Sequence, residues 1–171
     1  MISSHLTPEP ERRLWVILDN VRGRLETAER KAAGLAFFAA AQAAFLKVST
    51  GGGPLVLAGA SILGAAVLLA GAAVVPFYRA PRKPAPPPET PSPDESLLFF
   101  GDLAKYSHAE LVLKLEKYLG GGITGTPYHE DLIARIVVES RLAAFKHRLL
   151  RWAFAAAGLA QAAFLGSLLR G

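Results

Sequence analysis

Three stretches without a charged residue, at 32–46, 48–78 and 152–169, constrain this chain more than any other feature of it. A charge-free apolar helix of about 20 residues is long enough to cross a hydrocarbon core roughly 30 Å thick. Leu55 to Phe77 meets that length unaided. Ala32 to Leu46 and Trp152 to Leu169 are shorter. Each of these, however, continues an amphipathic helix arriving from its N-terminal side, so its basic flank can sit at the headgroups. The expected fold is an all-α membrane protein with three transmembrane helices. Two of them are continuous with cytoplasmic stalk helices, and a small helical cytoplasmic module lies between spans two and three.

The segments follow from this pattern. A cytoplasmic amphipathic helix is expected over 1–31 and a transmembrane hairpin over 32–78, with spans at 32–48 and 55–77. A Pro-rich linker follows over 79–96, a cytoplasmic module over 97–150 and a third transmembrane helix over 151–169. Of the 19 lysines and arginines, six precede the first span and eleven lie between Arg79 and Arg151. The hairpin holds only Lys47 and the tail only Arg170. Cations accumulate on the cytoplasmic side of membrane proteins. The N-terminus and 79–151 are therefore expected in the cytoplasm, and the C-terminus outside. The net charge of +5 also fits attraction to anionic lipid. No basic patch interleaved with aromatics and no groove-reading motif points to nucleic acid.

Cysteine is absent, which removes disulfides and thiolate metal or redox sites. The first dozen residues hold Pro8, Glu9, Pro10 and Glu11 and no apolar run, so no secretory signal is expected.

Two long helices follow one plan. Thr7-Pro8 and Thr126-Pro127 each supply an N-cap and a first-position proline, with acids in the next turn. Leu14, Leu18, Val21, Leu25, Ala28 and Ala32 form a heptad-like seam on the first helix. Ile133, Ile136, Val137, Ser140 and Ala144 form the apolar side of the second. The two match at a constant offset of 119 residues: Ala41-Gln42-Ala43-Ala44-Phe45-Leu46 falls on Ala160-Gln161-Ala162-Ala163-Phe164-Leu165. Between spans two and three, Ala80 to Ser96 carries seven prolines and reads as a semi-rigid tether. Ser107-His108-Ala109-Glu110 is a capping box for a helix through Leu119. Gly120 to Gly125 is a glycine-rich loop, read either as a connector or as an anion cradle at a helix N-terminus.

The search for catalytic chemistry is negative. The four histidines share no metal-ligand spacing, and no nucleophile elbow, zincin or P-loop motif occurs. No enzyme and no metal are expected. Arg135/Glu139 and Arg22/Glu26 have the i, i+4 spacing of helix-surface ion pairs. Gln42 and Gln161 are the strongly polar side chains within the spans, and Ala60, Gly64 and Gly71 form a small-residue strip on span two. Gln42, Gly64, Gly71 and Gln161 are accordingly expected to pack membrane helices together.

Three segments carry a family resemblance. Glu29-Arg30-Lys31-Ala32-Ala33-Gly34-Leu35, entering span one, looks like the D-x-K-A motif at that place in the Pycsar transmembrane effectors. Phe99-Phe100-Gly101-Asp102-Leu103-Ala104 with Ser107-x-x-Glu110 resembles their F-F-G-x-[IL]-A…S-x-x-E segment. Glu130-Asp131-Leu132-Ile133 through Ser140-Arg141-Leu142-Ala143-Ala144-Phe145-Lys146 resembles their acidic–aliphatic helix ending in a lysine. Glu29 stands where aspartate is usual, and Phe145-Lys146 where a Lys-Tyr pair is typical.

The resemblance implies an anti-phage defence effector. A partner pyrimidine cyclase makes a cyclic nucleotide, cUMP or cCMP, and the effector senses it through 97–150 and impairs the inner membrane. That ligand apart, no cofactor is implied. The implied pocket candidates are Glu29, Lys31, Phe100, Lys105, Arg135, Glu139, Arg141 and Lys146. Cations would meet the cyclic phosphate, Phe100 would stack on the base and a carboxylate would accept hydrogen bonds. Three spans are too few to enclose a wide pore, so a homo-oligomer is expected. The competing function is a constitutive membrane anchor whose cytoplasmic helices dock a protein partner. A transporter is weaker, because the spans hold no ionisable residue for coupling.

Overall fold

Among the described residues proline occurs only in the first turn of a helix, at Pro10, Pro54 and Pro127. The computed structural model describes residues 9–49, 53–75, 95–119 and 126–168, and within them every regular element is a helix. These are α1 (Glu9–Ser49), α2 (Pro54–Val74), α3 (Phe100–Leu103), α4 (His108–Leu119) and α5 (Pro127–Leu168). Thr7-Pro8, linker residues 79–94 and the glycine loop 120–125 lie outside the described residues, as do the side chains of 45–49. At 1.5 Å per residue, the 41 residues of α1 and 42 of α5 make rods of about 60 Å each.

The helix ends follow local chemistry. Pro54 opens α2 behind an extended Gly53, whose carbonyl accepts from the Leu57 amide at 3.1 Å. That helix stops at Val74, short of the expected Phe77. Val75 leaves the helical region (φ −56°, ψ 126°), and it precedes Pro76, which disfavours helix at its neighbour. At α4, the Ser107 amide and hydroxyl donate to Glu110 Oε2 at 2.8 and 2.7 Å, and the Glu110 amide donates to Ser107 Oγ at 3.3 Å. Thr126 caps α5, its Oγ1 accepting from the His129 amide at 3.4 Å.

The chain divides into two compact units. The first comprises Met1–Leu25 and Phe77–Ala144. Its core joins Leu14, Ile17, Leu18 and Val21 of α1 to Leu111 and Leu115 of α4 and to Leu132, Ile133, Ile136 and Val137 of α5. Leu103 and Tyr106 close it. Large aliphatics face inward here, as in any water-exposed helical bundle.

The second unit comprises Glu26–Pro76 and Phe145–Gly171, and its pattern is inverted. Ala28, Ala32, Ala66, Ala70, Ala73, Ala153 and Ala157 fill the seam, with Leu35 and Leu150. A second cluster joins Ala39, Leu63, Ala160 and Phe164. Bulky apolar groups point outward: Phe37 is 78% exposed, Leu68 76% and Leu159 64%. Small residues inside let backbones approach closely, while the large apolar exterior has no use in water. At Gly59 the approach is so close that a Cβ would lie 2.7 Å from the Phe164 ring.

Among the described residues two helices, not the expected three, are long and apolar enough to cross a membrane: Pro54–Val74 and Pro127–Ser167. The expected span at 32–48 lies partly outside the described side chains, which on this stretch of α1 end at Ala44. That part of α1 nonetheless lies in the alanine seam of the second unit.

Candidate functional site

Burial of one carboxylate between two guanidiniums organises the charged side of the first unit. Glu139 projects from α5 with its side chain 17% exposed. Arg22 of α1 donates to it from Nε at 3.0 Å and from Nη2 at 3.2 Å. Arg135, one turn earlier on α5, donates from Nε at 3.1 Å. The hydrogen bond to Glu139 raises the Arg22 guanidinium above its ordinary range. The i, i+4 pair Arg135/Glu139 thus forms as its spacing foretold. Arg22 instead reaches Glu139 on another helix, and Glu26 takes Arg30 at 3.5 Å.

Arg141 uses its charge on backbone. Its Nε donates to the Ala104 carbonyl at 3.2 Å and its Nη2 to that of Tyr106 at 3.0 Å. Partial burial pushes its guanidinium below the ordinary value. This arginine therefore ties α5 to the turn between α3 and α4. Tyr106 and Leu111 flank the Ser107 cap and both enter the core, the arrangement of a hydrophobic staple.

A second polar cluster surrounds that turn. Lys105 Nζ lies 3.0 Å from Glu95 Oε1 and 3.6 Å from Asp102 Oδ1. Lys114 Nζ donates to the Tyr106 hydroxyl and to the Glu95 carbonyl (3.3 Å), and sits 4.7 Å from the Tyr106 ring centroid. The Phe100 ring packs on the core with Phe99 tilted beside it, centroids 4.8 Å apart. Phe99 itself is 52% exposed.

In the second unit Lys146 is 1% exposed and donates to Glu29 Oε1 at 2.5 Å. Farther along the same two helices, Gln161 Nε2 donates to Gln42 Oε1. Lys31 is exposed. Gly64 lies on the outer face of α2, and Gly71 is half-buried.

The eight residues singled out from sequence therefore fall into two sets. Phe100, Lys105, Arg135, Glu139 and Arg141 belong to the first unit, and Glu29, Lys31 and Lys146 to the second. Two pairs are brought together, Arg135 with Glu139 and Glu29 with Lys146. Sequence reasoning missed Arg22, Glu95, Tyr106 and Lys114 as members of these clusters. Tyr106 carried a signal, an aromatic residue directly before a capping serine. Glu95 carried none, standing at the end of a proline-rich tract. Among the described residues no group of three or more His, Asp or Glu side chains could hold a metal.

A family model described as the Pycsar effector protein domain matches residues 13–171. No curated protein and no solved structure matches this chain.

Proposed function

Since the chain belongs to the Pycsar effector protein family, we propose that it detects a cyclic pyrimidine nucleotide made by a partner cyclase during phage infection and responds by impairing the inner membrane. The family match across nearly the whole chain carries this reading. The two contrasting units support it: a water-type helical core bearing charged clusters, and an alanine-seamed unit with an apolar exterior.

In this reading 79–151 and the N-terminal basic segment face the cytoplasm, where the signal is made. cUMP and cCMP combine a cyclic phosphate with a flat base, and the first unit holds groups of matching chemistry. Arg135 is 63% exposed and spends only part of its guanidinium on Glu139. Phe99 and Phe100 present aromatic surface nearby in sequence to Lys105. A phosphate reaching Arg141 would take it from the Ala104 and Tyr106 carbonyls and loosen the α3–α4 turn. Binding would then favour one of two arrangements of the unit by its differential affinity for them. Membrane damage would require several copies acting together.

The test is calorimetric binding of cUMP, cCMP, cAMP and cGMP to the detergent-solubilised protein, followed by dye release from liposomes. Selective pyrimidine binding with release is the expected result. Arg141→Gln should lose binding while staying in the membrane fraction. The second reading, a constitutive anchor for a protein partner, draws on exposed Val16, Leu98, Leu113 and Tyr118 of the first unit. Absence of binding to all four nucleotides would favour it.

A further inference from the structure

The second unit carries more cations than its own carboxylates can satisfy. Its acids are Glu26 and Glu29. Glu29 holds Lys146, and Glu26 holds Arg30 through an exposed pair at 3.5 Å. Lys31, Arg148 and Arg151 are exposed, and among the described residues no acidic side chain pairs with them.

Their heights along the unit are fixed by the Glu29–Lys146 bond. Lys31 lies two residues beyond Glu29 on α1, and Arg148 two residues beyond Lys146 on α5, so both advance by about 3 Å from one ion pair. Arg151 follows Arg148 by three residues. Trp152 follows it by four, on the same face, and is 64% exposed. Beyond Trp152 the chain has no charge until Arg170, and its outward side chains are Phe154, Leu159 and Leu165. On α1 the same sequence of events occurs: Lys31, then outward Phe37 and Phe38. Exposed cations thus give way to a lipophilic exterior within about two turns on both helices, with an exposed indole between them on α5.

We propose that Lys31, Arg148 and Arg151, with Trp152 as the interfacial ring, form a binding site for the phosphate groups of anionic phospholipid. A tryptophan at headgroup depth places its ring in the acyl boundary and its N–H in the polar layer. Each basic group near an anionic surface strengthens attachment several-fold. The site rests on the membrane reading of this unit and not on the nucleotide reading of the other, so either can fail alone.

The chain has two tryptophans, so Trp15→Phe leaves Trp152 as the sole emitter. This variant is reconstituted in phosphatidylcholine vesicles containing a trace of either brominated phosphatidylglycerol or brominated phosphatidylcholine. Emission should be quenched more by the brominated anionic lipid at equal mole fraction. Lys31→Gln/Arg148→Gln/Arg151→Gln should bring the two lipids to equality, with a loss in relative affinity of about fivefold per cation removed. Three results would overturn the proposal. One is equal quenching by both lipids with the cations intact, as it would be if these cations served a soluble phosphate. Another is an anionic preference that survives the triple substitution. The third is emission that no brominated lipid quenches.

Discussion

A buried ammonium is tolerable only while its counter-charge is in place, and Lys146 has Glu29 at 2.5 Å. Removing one partner of such a pair leaves an uncompensated charge, whereas removing both exchanges polar for apolar packing. Glu29 is about a third exposed, so water offsets part of the loss. Glu29→Gln should therefore destabilise by about 2 kcal/mol, less than the roughly 3–5 kcal/mol for a fully buried pair. Adding Lys146→Met should restore most of it. Thermal unfolding in detergent of the two single variants and the double variant checks this, and a double variant worse than Glu29→Gln would show that the lysine has a greater role elsewhere. This pairing was not legible in the chain. Helical periodicity identifies which face a residue occupies, but not which residue on a second helix will stand opposite it. The constant offset of 119 came close: Gln42 and Gln161 meet at that separation, and both ion pairs between α1 and α5 at 117.

Elements were more readable than pairings, because their ends depend on neighbours in sequence. The Ser107–Glu110 box, the Thr126-Pro127 start and the Pro54 start all appear where short-range rules put them. The early stop of α2 before Pro76 obeys the same kind of rule. Packing between elements depends on shape, and Gly59 shows how. A methyl group at that position would lie 2.7 Å from a Phe164 ring carbon. The ring must then swing away, at a cost of roughly 1–3 kcal/mol for overpacking. Gly59→Ala should lower the unfolding temperature, and Phe164→Leu should cancel part of that loss, since a shorter side chain leaves room for the methyl. Additive losses in the double variant would mean that the two residues do not oppose each other.

At the scale of the whole molecule, the decisive contrast is between a unit with leucines inside and a unit with leucines outside. That contrast was readable as charge-free runs. The expected span in α1 lies partly outside the described side chains, and the part within them sits in the alanine seam. Leu68, 76% exposed on α2, tests what surrounds the second unit. In lipid, Leu68→Asp should cost about 3 kcal/mol of insertion and shift the protein out of the carbonate-resistant membrane fraction. Unchanged fractionation, or improved solubility, would mean that this face meets water.

Seven of the nine residues at the centre of the second unit's larger cluster are alanines, and this gives the seam a one-sided tolerance to change. Apart from glycine, an alanine has no smaller substitute, so inherited variation at Ala28, Ala32, Ala66, Ala70, Ala73, Ala153 and Ala157 can only add atoms. Every such change acts as a wedge between helices, whatever its polarity. The leucine-rich first unit can instead lose volume, gain it or exchange it between neighbours. A saturation library should therefore rank substitutions in the seam by size, and those in the first unit by hydrophobicity.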